Sequence, residues 1–223
     1  MYLFDLIAII LIGWLFEQKI CVIINYMQKT SYQKMNEILS NIDINKKPKL
    51  LLHSCCAPCS SSVIERLQDY FDITVFYFNP NIMPREEYEK RRDEQTNFLK
   101  TKNIPFIEGD YDNKLYYDAI IGFENLGEKT MRCYKCYELR INATFEKAKD
   151  MQFDYYATTL TVSPHKLEKW VNEIGERLQN DKVKYLVSDF KKDNGYLRTI
   201  ELSKIYDFYR QMYCGCNLKN TKE

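Results

Sequence analysis

Residues 49–67, KLLLHSCCAPCSSSVIERL, run from an apolar stretch through three thiols in five positions into a helix-like pattern. Residues 49–53 read as a first buried strand. Residues 58–70 read as the helix that follows, with Pro58 near its first turn and Ile64 and Leu67 on one face. Outward from this unit the alternation continues. A helix over 32–41 precedes it. Strands are expected at 72–78, 104–107, 153–160 and 183–187. Helices are expected at 85–102, 112–122, 135–149 and 165–178, with a last helix over 202–213 that runs into Cys-Gly-Cys. Strands alternating with helices predict an α/β fold, a parallel sheet flanked by helices in a Rossmann-like or HUP-like arrangement.

Such sheets bind ligands beyond the carboxyl ends of their strands. Here those ends are 53–59, 79–84, 108–111, 158–166 and 188–192, so Cys55, Cys56 and Cys59 fall where small-molecule chemistry occurs. They also sit at a helix start, whose unpaired N–H groups favour thiolate over thiol.

Seven of the eight cysteines form tight groups, Cys55/Cys56/Cys59, Cys133/Cys136 and Cys214/Cys216, and Cys21 stands alone. Disulfide frameworks do not cluster this way, which points to metal or redox chemistry in a reducing compartment, the cytoplasm. Cys133 and Cys136 have the C-x-x-C spacing that turns two thiolates toward one centre. With Cys55 and Cys56 they make a four-thiolate set suited to a structural zinc or an iron–sulfur cluster. Adjacent cysteines fit a cluster of several metals better than zinc. The Cys-Gly-Cys pair reads either as a strained, readily reduced bridge that stores two electrons or as a terminal metal knuckle. Cys59 is open between a ligand, a thiol near an open metal position and a packing residue.

The net charge of +1 excludes a global basic field of the kind that drives nonspecific nucleic-acid binding. A local basic rim from Arg85, Arg91, Arg92, Lys191, Lys192 and Lys219 stays open, as do phosphate contacts from Arg132, Arg140, Lys166, Arg198 and Arg210. For each, a solvated surface residue is the plainer reading. Residues 1–30 form an apolar extension, and residues 31–223 a single α/β catalytic domain. The uninterrupted run 6–16 is 11 residues, short of the ~20 that span a bilayer. It lacks a signal peptide's basic region and cleavage site. An upstream misassigned start, with Met27 or Met35 as the true one, is the expectation, with no stable membrane partner.

The segments LLHSCCAPCSS, FYFNPNI-x-P-x-x-EY, RCYKCYELR, TTLTVSPHK, DFKK and GYLRTIELSKIYDFYRQMYCGC, in this order, resemble the cobalamin-independent epoxyqueuosine reductase (QueH) family over about residues 50–216. The resemblance implies an oxidoreductase that reduces epoxyqueuosine to queuosine at the wobble position of tRNA. It implies a [4Fe–4S] cluster on Cys55, Cys56, Cys133 and Cys136, a redox-active pair at Cys214 and Cys216, and Cys59 as the residue for an additional iron. The partners expected are the tRNA and an unidentified electron donor. Asp189, His165 and Tyr209 are candidate proton sources, and Asn79 and Asn81 either shape a turn or touch the base. A metal-free thiol–disulfide oxidoreductase or sulfur carrier acting on tRNA, and a zinc-stabilised binding module, are the rival readings.

Overall fold

The computed structural model describes residues 29–211 and 213–216. The expectations for the apolar extension, Cys21, Met27 and Lys219 lie outside them. The described elements are α1 (Ser31–Ser40), β1 (Lys49–His53), α2 (Ala57–Leu67), β2 (Asp72–Tyr77), α3 (Arg85–Thr101), β3 (Phe106–Glu108), α4 (Asn113–Ala119), α5 (Met131–Asp150), β4 (Tyr155–Thr158), a 3₁₀ turn (Thr159–Val162), α6 (Glu168–Leu178), β5 (Lys184–Tyr185) and α7 (Gly195–Ile205). All strand pairs are parallel, in the order β3-β2-β1-β4-β5.

The three leucines of β1 are fully buried, as a central strand covered on both faces requires. Strand pleating sends them to opposite sides. Leu50 and Leu52 pack with Met35 and Leu39 of α1, Val63, Ile64 and Leu67 of α2 and Phe98 and Leu99 of α3. Leu51 packs with Ile141 and Phe145 of α5 and Val171 and Ile174 of α6. Each such side chain contributes about 1.5–3 kcal/mol by leaving water. On the second face α6 lies close on the sheet: a Cβ at Gly175 would stand 2.4 Å from the Tyr185 ring.

The chain winds from β1 out to β3, then returns to place β4 on the other flank of β1. The β1 and β4 exits therefore diverge, and a crevice opens between them at the carboxyl edge. His53 pairs with Thr158 across that edge, so residues 54–59 and 159–166 wall one cleft. The predicted sheet class and the placement of the first cysteine group agree with this architecture.

Two boundaries differ in ways that matter. Helix α5 begins at Met131, not at 135, so Cys133 joins Cys136 inside its first two turns rather than lying on a preceding loop. Cysteine and tyrosine are middling helix formers, and the onset is set instead by Thr130 in extended backbone. The last helix spans Gly195–Ile205 rather than 202–213. The apolar spacing of Leu202, Ile205, Tyr206 and Tyr209 mimics a helix face, but Asp207 takes φ 53°, which ends the helix. Tyr206 and Phe208 stack on each other and set their edges against Phe98. Residues 206–211 consequently leave the helix and bring Cys-Gly-Cys back over the crevice. Among the described residues no helix is long and apolar enough to cross a membrane.

Candidate metal and redox site

Cys55 and Cys56 occupy the turn between β1 and α2, and Cys59 lies in the first turn of α2. Cys56 is the residue before the helix, in extended backbone, with no side-chain cap on the exposed N–H groups. The Cys55 and Cys56 sulfurs are 3.9 Å apart, and all three sulfurs lie within 4.8 Å of one another. The turn is built into the core. Buried Gln95 of α3 bonds the hydroxyls of Ser54 at 2.7 Å and Ser60 at 2.9 Å. Asn79 Nδ2 donates to the Ser54 carbonyl at 2.8 Å, and the Ser54 N–H donates to Phe76 at 2.9 Å.

The second and third groups reach the same place. Cys55, Cys59, Cys133, Cys136, Cys214 and Cys216 all line one cavity of about 550 Å³, with Tyr116, Tyr137, Arg132, Lys166 and Gln211 among its other walls. Cys56 lies just behind this wall, fully buried, and Gln211 Nε2 donates to its sulfur at 3.0 Å. The Cys-Gly-Cys segment is pinned from outside. Arg91 donates to the Cys214 and Tyr213 carbonyls at 3.2 and 3.4 Å, and the Met83 N–H donates to Gly215 O at 2.9 Å. Gly215 takes φ 122°, and a Cβ there would stand 2.8 Å from Ile82 Cγ1, so only glycine fits.

Electrostatics separates the thiols. Hydrogen bonds from Cys56 and Cys59 hold Cys55 well below the usual thiol range, and the cations Lys166 and Arg140 push the same way. Burial and the neighbouring Cys55 push Cys56 up to about 12. Its hydrogen bonds with Cys55 and Cys56 push Cys59 up. One thiol of the three therefore ionises first. Burial pushes Cys136 up to about 12, against the pull of Arg140, and burial raises Cys216, against a hydrogen bond from Tyr116. A cluster of soft, crowded sulfurs beside unpaired guanidinium nitrogens is the donor set of a thiophilic metal group. Each added cation makes the next thiolate easier to form.

The sequence profile described as "Epoxyqueuosine reductase QueH" matches residues 50–222. The chain belongs to this family. It is 39% identical over 208 residues to the epoxyqueuosine reductase QueH of Streptococcus pyogenes serotype M1, covering 89% of this chain and 82% of the relative. It is 32% identical over 171 residues to that of Thermotoga maritima, covering 75% and 88%. Among solved structures, it resembles the U34-tRNA thiolase NcsA from Methanococcus maripaludis with its [4Fe-4S] cluster. There the TM-score is 0.56 at 14% identity, and the match covers 82% of this chain and 66% of that one. At that identity the likeness speaks to the fold alone.

Several sequence candidates sit elsewhere in the chain. Asp189 is buried but does not line the cavity, and Lys191 pairs with it at 2.5 Å. The strand before it ends two residues earlier than expected, and the following turn faces Asp189 toward its own lysine. Tyr209 donates to Glu87 at 3.3 Å with Lys90 over its ring, away from the cavity wall. His165 is exposed at the cavity mouth, in a turn before α6 rather than inside that helix. Arg91 belongs to no basic rim: it is buried and paired with Glu87 at 2.6 Å. Arg132 and Arg140 are not surface residues either, since both are buried. Arg198 is the ordinary surface pair, with Glu65 and Glu201. Asn79 shapes the turn through Ser54, and Asn81 is buried beside it. Sequence reasoning missed Gln95, Gln211 and Tyr116. Nothing in their local pattern marks them, because their partners lie 35 to 155 positions away.

Proposed function

We propose that the protein reduces epoxyqueuosine to queuosine at the wobble position of tRNA, an oxidoreductase reaction. Family membership supports the activity. One observation carries the mechanism: cysteines from three separate motifs wall a single cavity. Its volume, about 550 Å³, is in the range of small-ligand sites and suits an extruded base with its cyclopentane ring.

Cys55, Cys56, Cys133 and Cys136 would hold a [4Fe–4S] cluster, with Cys59 available to an additional iron. When bound, that group supplies single-electron transfer and a Lewis-acidic iron for the epoxide oxygen. Cys214 and Cys216 are thiols, and their oxidation closes the balance of the reaction. Epoxide plus dithiol gives alkene, water and a disulfide: two electrons and two protons leave the thiols, and the oxygen departs with the protons. Burial and the charges of neighbouring thiols hold the Tyr116 phenol protonated, and its hydrogen bond to Cys216 places a proton beside that sulfur. Lys166, half-buried in the wall, keeps its charge because the thiols around it outweigh the cost of its burial. A separate reductant must reopen the disulfide after each turnover. A single domain over residues 31–223, acting in the cytoplasm, is consistent with these requirements.

Anaerobic purification followed by iron and sulfide analysis and an assay on epoxyqueuosine-containing tRNA tests this reading. Iron-loaded protein that converts the base supports it. Colourless protein with stoichiometric zinc, or metal-free protein active in thiol exchange alone, contradicts it.

A further inference from the structure

Helix α5 carries a second pattern interleaved with its cysteines. Arg132, Cys136 and Arg140 are spaced four apart and so share one stripe of the helix. All three are buried, Arg132 at 2% and Arg140 at 1% exposure. Among the described residues neither arginine has a carboxylate partner. Arg132 Nη1 reaches the Glu124 carbonyl at 3.4 Å and Arg140 Nε the Cys136 carbonyl at 3.2 Å. Nε and Nη2 of Arg132 and Nη2 of Arg140 are buried with no acceptor. Arg132 and Lys166 line the cavity, and Arg140 is buried one turn beyond Cys136 without lining it.

A buried guanidinium without an anion is among the costliest arrangements in a protein. Two of them bracketing one cysteine, one turn before and one turn after, call for negative charge between them. The groups that face Arg140 are the thiols Cys136, Cys214 and Cys55 and the phenol Tyr137, whose ring centre lies 5.8 Å from the guanidinium. Four thiolates outweigh the positive charge of an iron–sulfur core, and reduction adds one further negative charge.

We propose that Arg132 and Arg140 are positioning residues that neutralise the thiolate-bound metal group and so make it easier to reduce. The inference rests on the cluster reading above and extends it to residues that ligate nothing. Field and N–H donation both act on the reduced state more than on the oxidised one, since that state carries more charge.

The test is a redox titration of anaerobically reconstituted protein, followed by visible absorbance and electron paramagnetic resonance. Wild type, Arg140→Gln, Arg140→Lys and Arg132→Gln are compared, with iron and sulfide measured on each. Arg140→Gln is expected to lower the midpoint by at least a tenfold change in the reduction equilibrium, about 59 mV for one electron. Arg140→Lys is expected to keep most of the wild-type value, and Arg132→Gln to shift in the same direction as Arg140→Gln. If Arg140→Gln loses its iron while Arg140→Lys keeps it, the charge requirement is equally established. Unchanged midpoints in all three variants at wild-type iron content, or loss of iron from Lys and Gln variants alike, would overturn the inference. Wild-type protein that takes up no iron would overturn the cluster reading itself, a different result from an unshifted midpoint.

Discussion

The two ends of the thiol site are held in opposite ways. The turn bearing Cys55 and Cys56 grows out of the central strand and is locked by a buried side chain on each flank, Gln95 and Asn79. The segment bearing Cys214 and Cys216 follows the last helix and is held mainly through its backbone carbonyls, by Arg91 and the Met83 N–H. Ligands of a metal group need fixed geometry, whereas a dithiol that is oxidised by one partner and reduced by another must change its bonding every cycle. The difference supports the proposed division, in which the strand turn ligates and the tail delivers electrons.

The sharpest way to break this contrast is the double substitution Cys214→Ser with Cys216→Ser. Multiple turnover of epoxyqueuosine-containing tRNA should disappear, by a factor of about a hundred or more, while iron content and visible absorbance persist. Loss of the chromophore would make the tail a ligand segment and erase the distinction.

His53 probes the rigid end through pH. Burial, with Arg140 nearby, lowers its pKa to about 4, against about 6.5 in an unfolded chain. Between those values the unfolded chain binds more protons, so stability is complete above pH 6.5 and declines as pH falls toward 4. The contribution is about 3 kcal/mol. Denaturant titrations of metal-free protein should show this decline, and His53→Gln should flatten it. An equal slope in the variant would assign the pH dependence to other groups.

Gln95→Ala removes the bonds beneath the same turn and leaves the Ser54 and Ser60 hydroxyls only their longer bonds to the Cys56 and Ala57 carbonyls. The expected loss is about 2 kcal/mol in global stability, read by urea unfolding, with iron loading reduced as well. At the tail, Gly215→Ala should slow turnover roughly tenfold, because at φ 122° a methyl group is strained and collides with Ile82. The strain is expected to be released by local displacement of the tail, so the midpoint of global urea unfolding moves less than in the Gln95 variant. A Gly215 variant as destabilised as the Gln95 variant would show that the tail is as much part of the core as the strand turn.

Much of the rigid end was legible in the sequence. Three leucines in a row predicted the central strand with its observed bounds, and alternating elements predicted the parallel sheet. The edge position of Cys55, Cys56 and Cys59 followed from those two. The tail was not legible in the same way. Leu202, Ile205, Tyr206 and Tyr209 repeat with helical spacing, and only the aromatic packing of Tyr206 and Phe208 on Phe98, a long-range contact, shows why the helix stops at Ile205. The same limit hid the burial of Arg132 and Arg140. A local pattern reports periodicity, but not which charged stripe turns inward to face thiols contributed from elsewhere. Asp189 shows a similar limit: its place at a strand end pointed to the crevice, and in the fold it pairs with a lysine two residues on and does not line the cavity.

The most direct test of the account is the iron and acid-labile sulfide content of anaerobically purified Cys133→Ser and Cys136→Ser, measured beside Cys55→Ser and Cys56→Ser. A shared metal group spanning the β1–α2 turn and the start of α5 predicts that each of the four substitutions strips iron and sulfide together. Full iron and sulfide in the Cys133 and Cys136 variants, with loss confined to Cys55 and Cys56, would contradict it.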